Sequence, residues 1–79
     1  MNITLYKGQT CPKCKIIAAK LDKEGIPYKT VMDVDYMIAS GITVIPTLEV
    51  DGQRFVDVKA CNNWINSYSE QRHINIQEV

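Results

Sequence analysis

The stretch "NITLYKGQTCPKC", residues 2–14, changes its pattern twice. In "NITLY" the apolar Ile3 and Leu5 alternate with Asn2 and Thr4, the period of a short half-buried strand. "KGQT" breaks that alternation. From Pro12 the period becomes helical, with Cys14, Ile17, Ala18 and Leu21 on one face. Pro12 suits a first helical turn, because the N–H it lacks would be unpaired there anyway. Cys11 and Cys14, two of the three cysteines in the chain, therefore fall where a strand hands over to a helix.

Outward from that junction, Gly25 followed by Ile26-Pro27 is a stop signal for the first helix. "YKTVM" (28–32) reads as a second strand. "DVDYMIAS" (33–40) reads as a short helix, with Asp33 or Asp35 as N-cap and Gly41 as terminator. "TLEV" (47–50) and "QRFVDV" (53–58) flank "DG" (51–52), a type I′ hairpin signal. Cys61, Trp64, Ile65 and Tyr68 form an apolar stripe on a last helix expected from about Lys59 to Ser69. Residues 70–79 are expected to be a polar tail, either a frayed end or a short strand. The order is β-α-β-α-β-β-α. A strand–helix–strand unit implies a right-handed parallel crossover, and the hairpin adds antiparallel strands. The expected fold class is α/β: a mixed four-stranded sheet with helices on both faces, in a single domain spanning 1–79.

Composition narrows the function. Nine basic and nine acidic residues cancel, so no global field draws the chain to nucleic acid or to an anionic membrane. No apolar run approaches the ~18 residues of a membrane span. The N-terminus lacks a basic region followed by an apolar segment, so a cytoplasmic protein is expected. In that compartment stable disulfides are rare, and a C-x-x-C pair is more often catalytic or metal-binding.

Three chemistries compete for Cys11 and Cys14. A structural zinc site needs four ligands. Cys61 and His73 are the remaining thiol and imidazole, and they lack knuckle spacing. A purely structural bridge would close a very small loop and constrain the unfolded chain little. Redox exchange fits the position best, because the motif follows a strand and opens a helix. Cys11 stands at the helix N-terminus, where unpaired N–H groups and the dipole favour a thiolate below the free value of about 8.5. Lys7, Lys13 and Lys15 add positive charge nearby. Cys14, one turn deeper, shares the inward face with Ile17 and Leu21. That asymmetry suits an attacking Cys11 and a resolving Cys14. Cys61 on the last helix reads as a core thiol, and Trp64 and Tyr68 as packing residues.

"TCPKC" after the first strand, and "VIPTLEVDG" opening the third, resemble the glutaredoxin and thioredoxin family. The resemblance covers about residues 2 to 69 and implies a thioredoxin-like fold. "CPKC" is closer to the glutaredoxin C-P-x-C type, as is Tyr6 ahead of it, and Thr10 stands where thioredoxins carry Trp. The resemblance implies a cis Pro46 beside Cys11. It also implies a substrate-binding surface of Thr10, Pro12, Lys13, Val44, Ile45, Pro46 and Asp57, with the Ile45 backbone pairing to an extended substrate. Glutathione-using glutaredoxins carry T-V-P and a later G-G-x-D. Here Val44-Ile45-Pro46 and "FVDVKAC" stand instead, which weighs against glutathione as the dedicated substrate. In size, and in lacking that segment, the chain is similar to the small redoxins that serve ribonucleotide reductase.

The expected activity is thus reduction of protein disulfides by a Cys11–Cys14 dithiol cycle, in a monomer donating electrons to a reductase. No metal or organic cofactor is called for. Thioredoxin reductase or glutathione would be the electron source. A glutathione-dependent glutaredoxin, a non-catalytic binding module and a metal carrier are the competing readings.

Overall fold

A computed structural model describes the backbone from Met1 to Glu78 and the side chains as far as Gln71. The elements run β1 (Ile3–Tyr6), α1 (Pro12–Lys23), β2 (Lys29–Val31), α2 (Val34–Ala39), β3 (Thr47–Val50), β4 (Gln53–Val56) and α3 (Asp57–Glu78). The four strands form one sheet in the order β2-β1-β3-β4. β1 pairs with β2 in parallel, with Thr4 opposite Lys29. β1 pairs with β3 antiparallel, with Leu5 opposite Leu48, and β3 with β4 antiparallel, with Leu48 opposite Phe55. The mixed α/β sheet expected from the element order is thus the one observed.

Alternation along β1 and β3 divides the apolar groups between the two faces of the sheet. Ile3, Leu5, Leu48 and Val50 point to one face and meet Ile17 and Leu21 of α1 and Cys61 and Ile65 of α3. Tyr6 points to the other face and packs with Met37 of α2 and Ile42. Helices therefore cover both faces. The core side is apolar, with Leu5, Ile17, Leu21, Leu48 and Ile65 fully buried.

Local signals place most boundaries. Asp33 is the N-cap of α2, its carboxylate accepting the Tyr36 N–H at 3.2 Å. The "DG" turn has both residues at positive φ, Asp51 at 49° and Gly52 at 89°, as a type I′ hairpin requires. Two boundaries differ from expectation by more than one residue. β4 ends at Val56 rather than at residue 58, because Asp57 adopts φ +71° and turns the chain directly into α3. Asp tolerates this region better than most residues. The second difference is the C-terminus. The expected polar tail of 70–79 is helical through Glu78, since "SEQRHINIQE" contains neither Gly nor Pro to stop a helix. Val79, and the side chain of His73, lie outside the described residues. Among the described residues no helix is long and apolar enough to cross a membrane.

Candidate redox site

Because β1 ends at Tyr6 and α1 begins at Pro12, the loop between them sits at the end of the sheet where β3 starts. Cys11 is the N-cap of α1, with extended backbone (φ −97°, ψ 107°). Its Sγ accepts the Cys14 N–H at 3.2 Å, so the sulfur occupies the place a capping oxygen would take. Pro12 fills the first helical position. Cys11 and Cys14 stand at disulfide distance, with their Cα atoms 5.2 Å apart. Their exposure differs: Cys11 is half-buried, whereas Cys14 is 1% exposed. Any reagent entering from solvent meets Cys11 first.

The Ile45–Pro46 peptide is cis. Pro46 is fully buried, and its carbonyl accepts the Asp57 N–H at 2.8 Å. The next residue, Thr47, is buried and donates its hydroxyl to the Val44 carbonyl at 2.6 Å. The first bond ties this segment to the start of α3, and the second closes residues 44–47 on themselves. Gly8 links this segment to the cysteines. A Cβ there would lie 2.8 Å from Ile45 Cδ1 and 3.5 Å from Cys11 Cβ. A side chain at Gly8 would push aside the tip of the Ile45 side chain where the loop before Cys11 closes down over it. Gly8 and Thr47 were not singled out from the sequence. Gly8 carries a signal, the break in "KGQT", but its close approach to Ile45 involves a residue far along the chain.

The residues expected to contact substrate are distributed as follows. Thr10, Pro12 and Lys13 are exposed around Cys11, and Val44 is 39% exposed on the neighbouring loop. Ile45 is half-buried, and among the described residues its N–H and C=O make no turn or loop hydrogen bond with other backbone. Asp57 is exposed beyond Pro46, and its carboxylate accepts the Val58 N–H at 2.8 Å. It is engaged with its own helix start. Among the described residues no group of three or more His, Cys, Asp or Glu side chains could hold a metal ion.

Cys61 lies behind the site, fully buried. Its Sγ donates to the Phe55 carbonyl at 3.3 Å and lies 3.9 Å from that of Pro46. Burial, reinforced by the charge of Asp57, pushes the Cys61 thiol from 9.0 up to about 11. A raised acid keeps its proton in the folded chain while the unfolded chain loses it. Folding therefore binds more protons between these values, and stability falls as pH rises from about 9 toward 11. In oxidised protein, where Cys11 and Cys14 do not titrate, urea midpoints should drop over this range. Burial also raises the Tyr6 and Tyr28 hydroxyls, so Cys61→Ala is the reference: it keeps both tyrosines and should show a shallower drop. Parallel profiles in the two proteins would refute the assignment to Cys61. Trp64 packs between Phe55 and Tyr68, with ring centroids at 6.1 and 5.2 Å, as a packing residue.

No protein-family model matches the chain. No curated protein matches it either. Solved structures do. The chain is similar to a glutathione transferase homologue from Sulfitobacter, determined with bound glutathione, at a TM-score of 0.72 and 15% identity. That match covers 89% of this chain but 38% of the homologue, so the chain spans well under half of that protein. It is also similar to thioredoxin 1 from Thermosipho africanus, at a TM-score of 0.63 and 19% identity over the full length of both chains. With the cysteine pair at the head of α1, the mixed sheet and the helices on both faces, these likenesses show that the chain has the thioredoxin-like fold.

Proposed function

We propose that the chain is a thiol–disulfide oxidoreductase that reduces disulfides in proteins through Cys11 and Cys14. The observation that carries this reading is the unequal pair at one helix end: a half-buried Cys11 sulfur at the N-terminus of α1, and a 1%-exposed Cys14 at disulfide distance from it. In the reduced protein the Cys11 thiolate attacks one sulfur of the substrate disulfide. A mixed disulfide forms, and the other substrate sulfur leaves as a thiolate that takes a proton from solvent. Cys14, giving up its proton, then attacks Cys11 Sγ and releases the second substrate sulfur. Two electrons pass to the substrate, and Cys11–Cys14 becomes a disulfide. The electrons reside on the two sulfurs, so no cofactor is required. The Ile45 peptide groups, without a backbone partner among the described residues, are available to pair with an extended substrate strand.

Two electron sources fit this reading. A flavoprotein of the thioredoxin reductase type would act on the oxidised pair directly, as for the redoxins that serve ribonucleotide reductase. Glutathione is the second, and the glutathione held by the Sulfitobacter homologue favours testing it. The test is to supply reduced protein to a disulfide-containing protein such as insulin, then recycle it with each system. Turnover with thioredoxin reductase and NADPH supports the first source, and turnover with glutathione and its reductase alone supports the second. Absence of insulin reduction by the reduced protein, even stoichiometrically, would leave the chain as a binding module.

A further inference from the structure

Thr47 opens β3 and is 1% exposed. Tyrosine and cysteine aside, it is the one buried polar side chain among the described residues. A valine has the same shape, suits a strand as well and carries no hydroxyl to desolvate, so packing alone does not call for threonine here. The hydroxyl makes one short bond: Oγ1 donates to the Val44 carbonyl at 2.6 Å. That carbonyl belongs to the same planar peptide as the Ile45 N–H. The Val44–Ile45 peptide is trans, so its C=O and N–H point in opposite directions. With the oxygen held on a buried hydroxyl, the Ile45 N–H is turned away from Thr47. The carbonyl on the other side of Ile45 is also engaged, since Pro46 C=O accepts the Asp57 N–H at 2.8 Å. Both carbonyls flanking Ile45 are thus satisfied within the chain, while its own N–H and C=O have no hydrogen-bond partner among the described residues.

We propose that Thr47 is a positioning residue for disulfide exchange with polypeptides: its hydroxyl fixes the plane of the Val44–Ile45 peptide, so that the Ile45 N–H stands ready for a backbone carbonyl of the substrate. The proposal deepens the oxidoreductase reading and rests on it. Thr47 itself is buried and acts only through that peptide. The gain is preorganisation. A peptide plane free to rotate has to be ordered at the moment of binding, which costs affinity. Without the hydroxyl, the Val44 carbonyl would turn toward water, since Val44 is 39% exposed, and the Ile45 N–H would turn with it. The effect therefore falls on substrates that offer a backbone carbonyl. A small disulfide without peptide groups has nothing to pair with Ile45 and bypasses Thr47.

Matched variants read the hydroxyl. Thr47→Val removes it and keeps the shape, Thr47→Ala removes it with less bulk, and Thr47→Ser keeps it. Protein recycled with dithiothreitol is given insulin. Reduced protein freed of dithiothreitol is given dithiobis(nitrobenzoate), a disulfide without peptide groups. Thr47→Val and Thr47→Ala should raise the KM for insulin about tenfold, equivalent to about 1.4 kcal/mol, with little change in kcat. Thr47→Ser should keep the wild-type KM, and the rate with dithiobis(nitrobenzoate) should be the same in every variant. A merely structural role would lower both rates together. That outcome, an unchanged insulin KM in the hydroxyl-free variants, or a Thr47→Ser protein that behaves like Thr47→Val would each overturn the proposal. A second measurement needs no turnover. In Cys14→Ser, a cysteine peptide activated with thionitrobenzoate is joined to Cys11, whose thiolate displaces the thionitrobenzoate, and amide exchange at Ile45 is followed by NMR. The Ile45 N–H should be protected in that adduct and exchange freely once Thr47→Val is added. Protection in both adducts, or in neither, would overturn the assignment. Thr47-dependent protection in a chain that reduces no insulin would remove the redox reading and leave the orientation. Insulin reduction indifferent to the hydroxyl would remove the orientation and leave the redox reading.

Discussion

Cys11→Ser is expected to abolish disulfide reduction, lowering the rate by more than about three orders of magnitude, because a serine hydroxyl cannot serve as the attacking thiolate. Cys14→Ser should behave differently. The first exchange still occurs at Cys11, but the resolving thiol is gone, so the substrate stays joined to the protein by a mixed disulfide. The difference follows from position: Cys11 is reachable from solvent at the head of α1, and Cys14 is 1% exposed one turn in. Non-reducing electrophoresis and mass spectrometry read the outcome directly. Cys14→Ser should carry added mass that dithiothreitol removes, and Cys11→Ser should carry none. Adducts on both variants in equal yield would contradict the assigned roles, and equal activity of both would contradict the dithiol cycle. Applied to a cell extract, the Cys14→Ser protein would also identify the substrate.

Leu48→Ala should be the most damaging of the simple core truncations. Leu48 sits in β3, a central strand, fully buried, opposite Leu5 on one side and Phe55 on the other. It faces α1 and α3, so shortening it leaves a cavity where the sheet meets both helices. Such changes cost about 2–5 kcal/mol. A domain of this size holds only a small net stability, of the order of 5–15 kcal/mol at most. For chains of 60–100 residues each kcal/mol moves the melting point by about 4–8 °C. A fall of about 10 °C or more is therefore expected in the oxidised protein. Ile16→Ala provides the control, since Ile16 is on α1 yet 59% exposed and should change stability by only about 0.5 kcal/mol. Equal melting points for the two variants would refute the core assignment.

Much of the fold was legible because its signals are local. The alternation in "NITLY", the helical spacing after Pro12 and the "DG" turn each depend on residues within one or two turns of chain. Strand β3 was placed at residues 47–50, where it is found. The stripe Cys61–Ile65 correctly marked the buried side of α3. Where expectation failed, a nonlocal or conformational fact intervened. Asp57 tolerates a left-handed backbone but lacks the following Gly that marks the Asp51 turn, and its bond to the Pro46 carbonyl depends on β4 lying beside β3. The C-terminal residues looked like a tail because their apolar stripe fades, whereas the absence of a stop signal lets the helix continue to Glu78.

The sequence by itself determined the order of the elements and the unequal cysteines at the start of a helix, because periodicity, Pro12 and the spacing of Cys11 and Cys14 act over one turn. The tertiary structure decided what surrounds those cysteines. The strand order β2-β1-β3-β4 sets β3 against β1, and so brings Ile45 to Gly8, three residues before Cys11, across more than thirty residues of sequence. It also decided that α2 would bury Met37 and turn Val34 and Ile38 outward. A six-residue helix meets the sheet along too narrow a contact to bury both sides, so its remaining apolar groups are left to line a groove with Gly8 and Ile45.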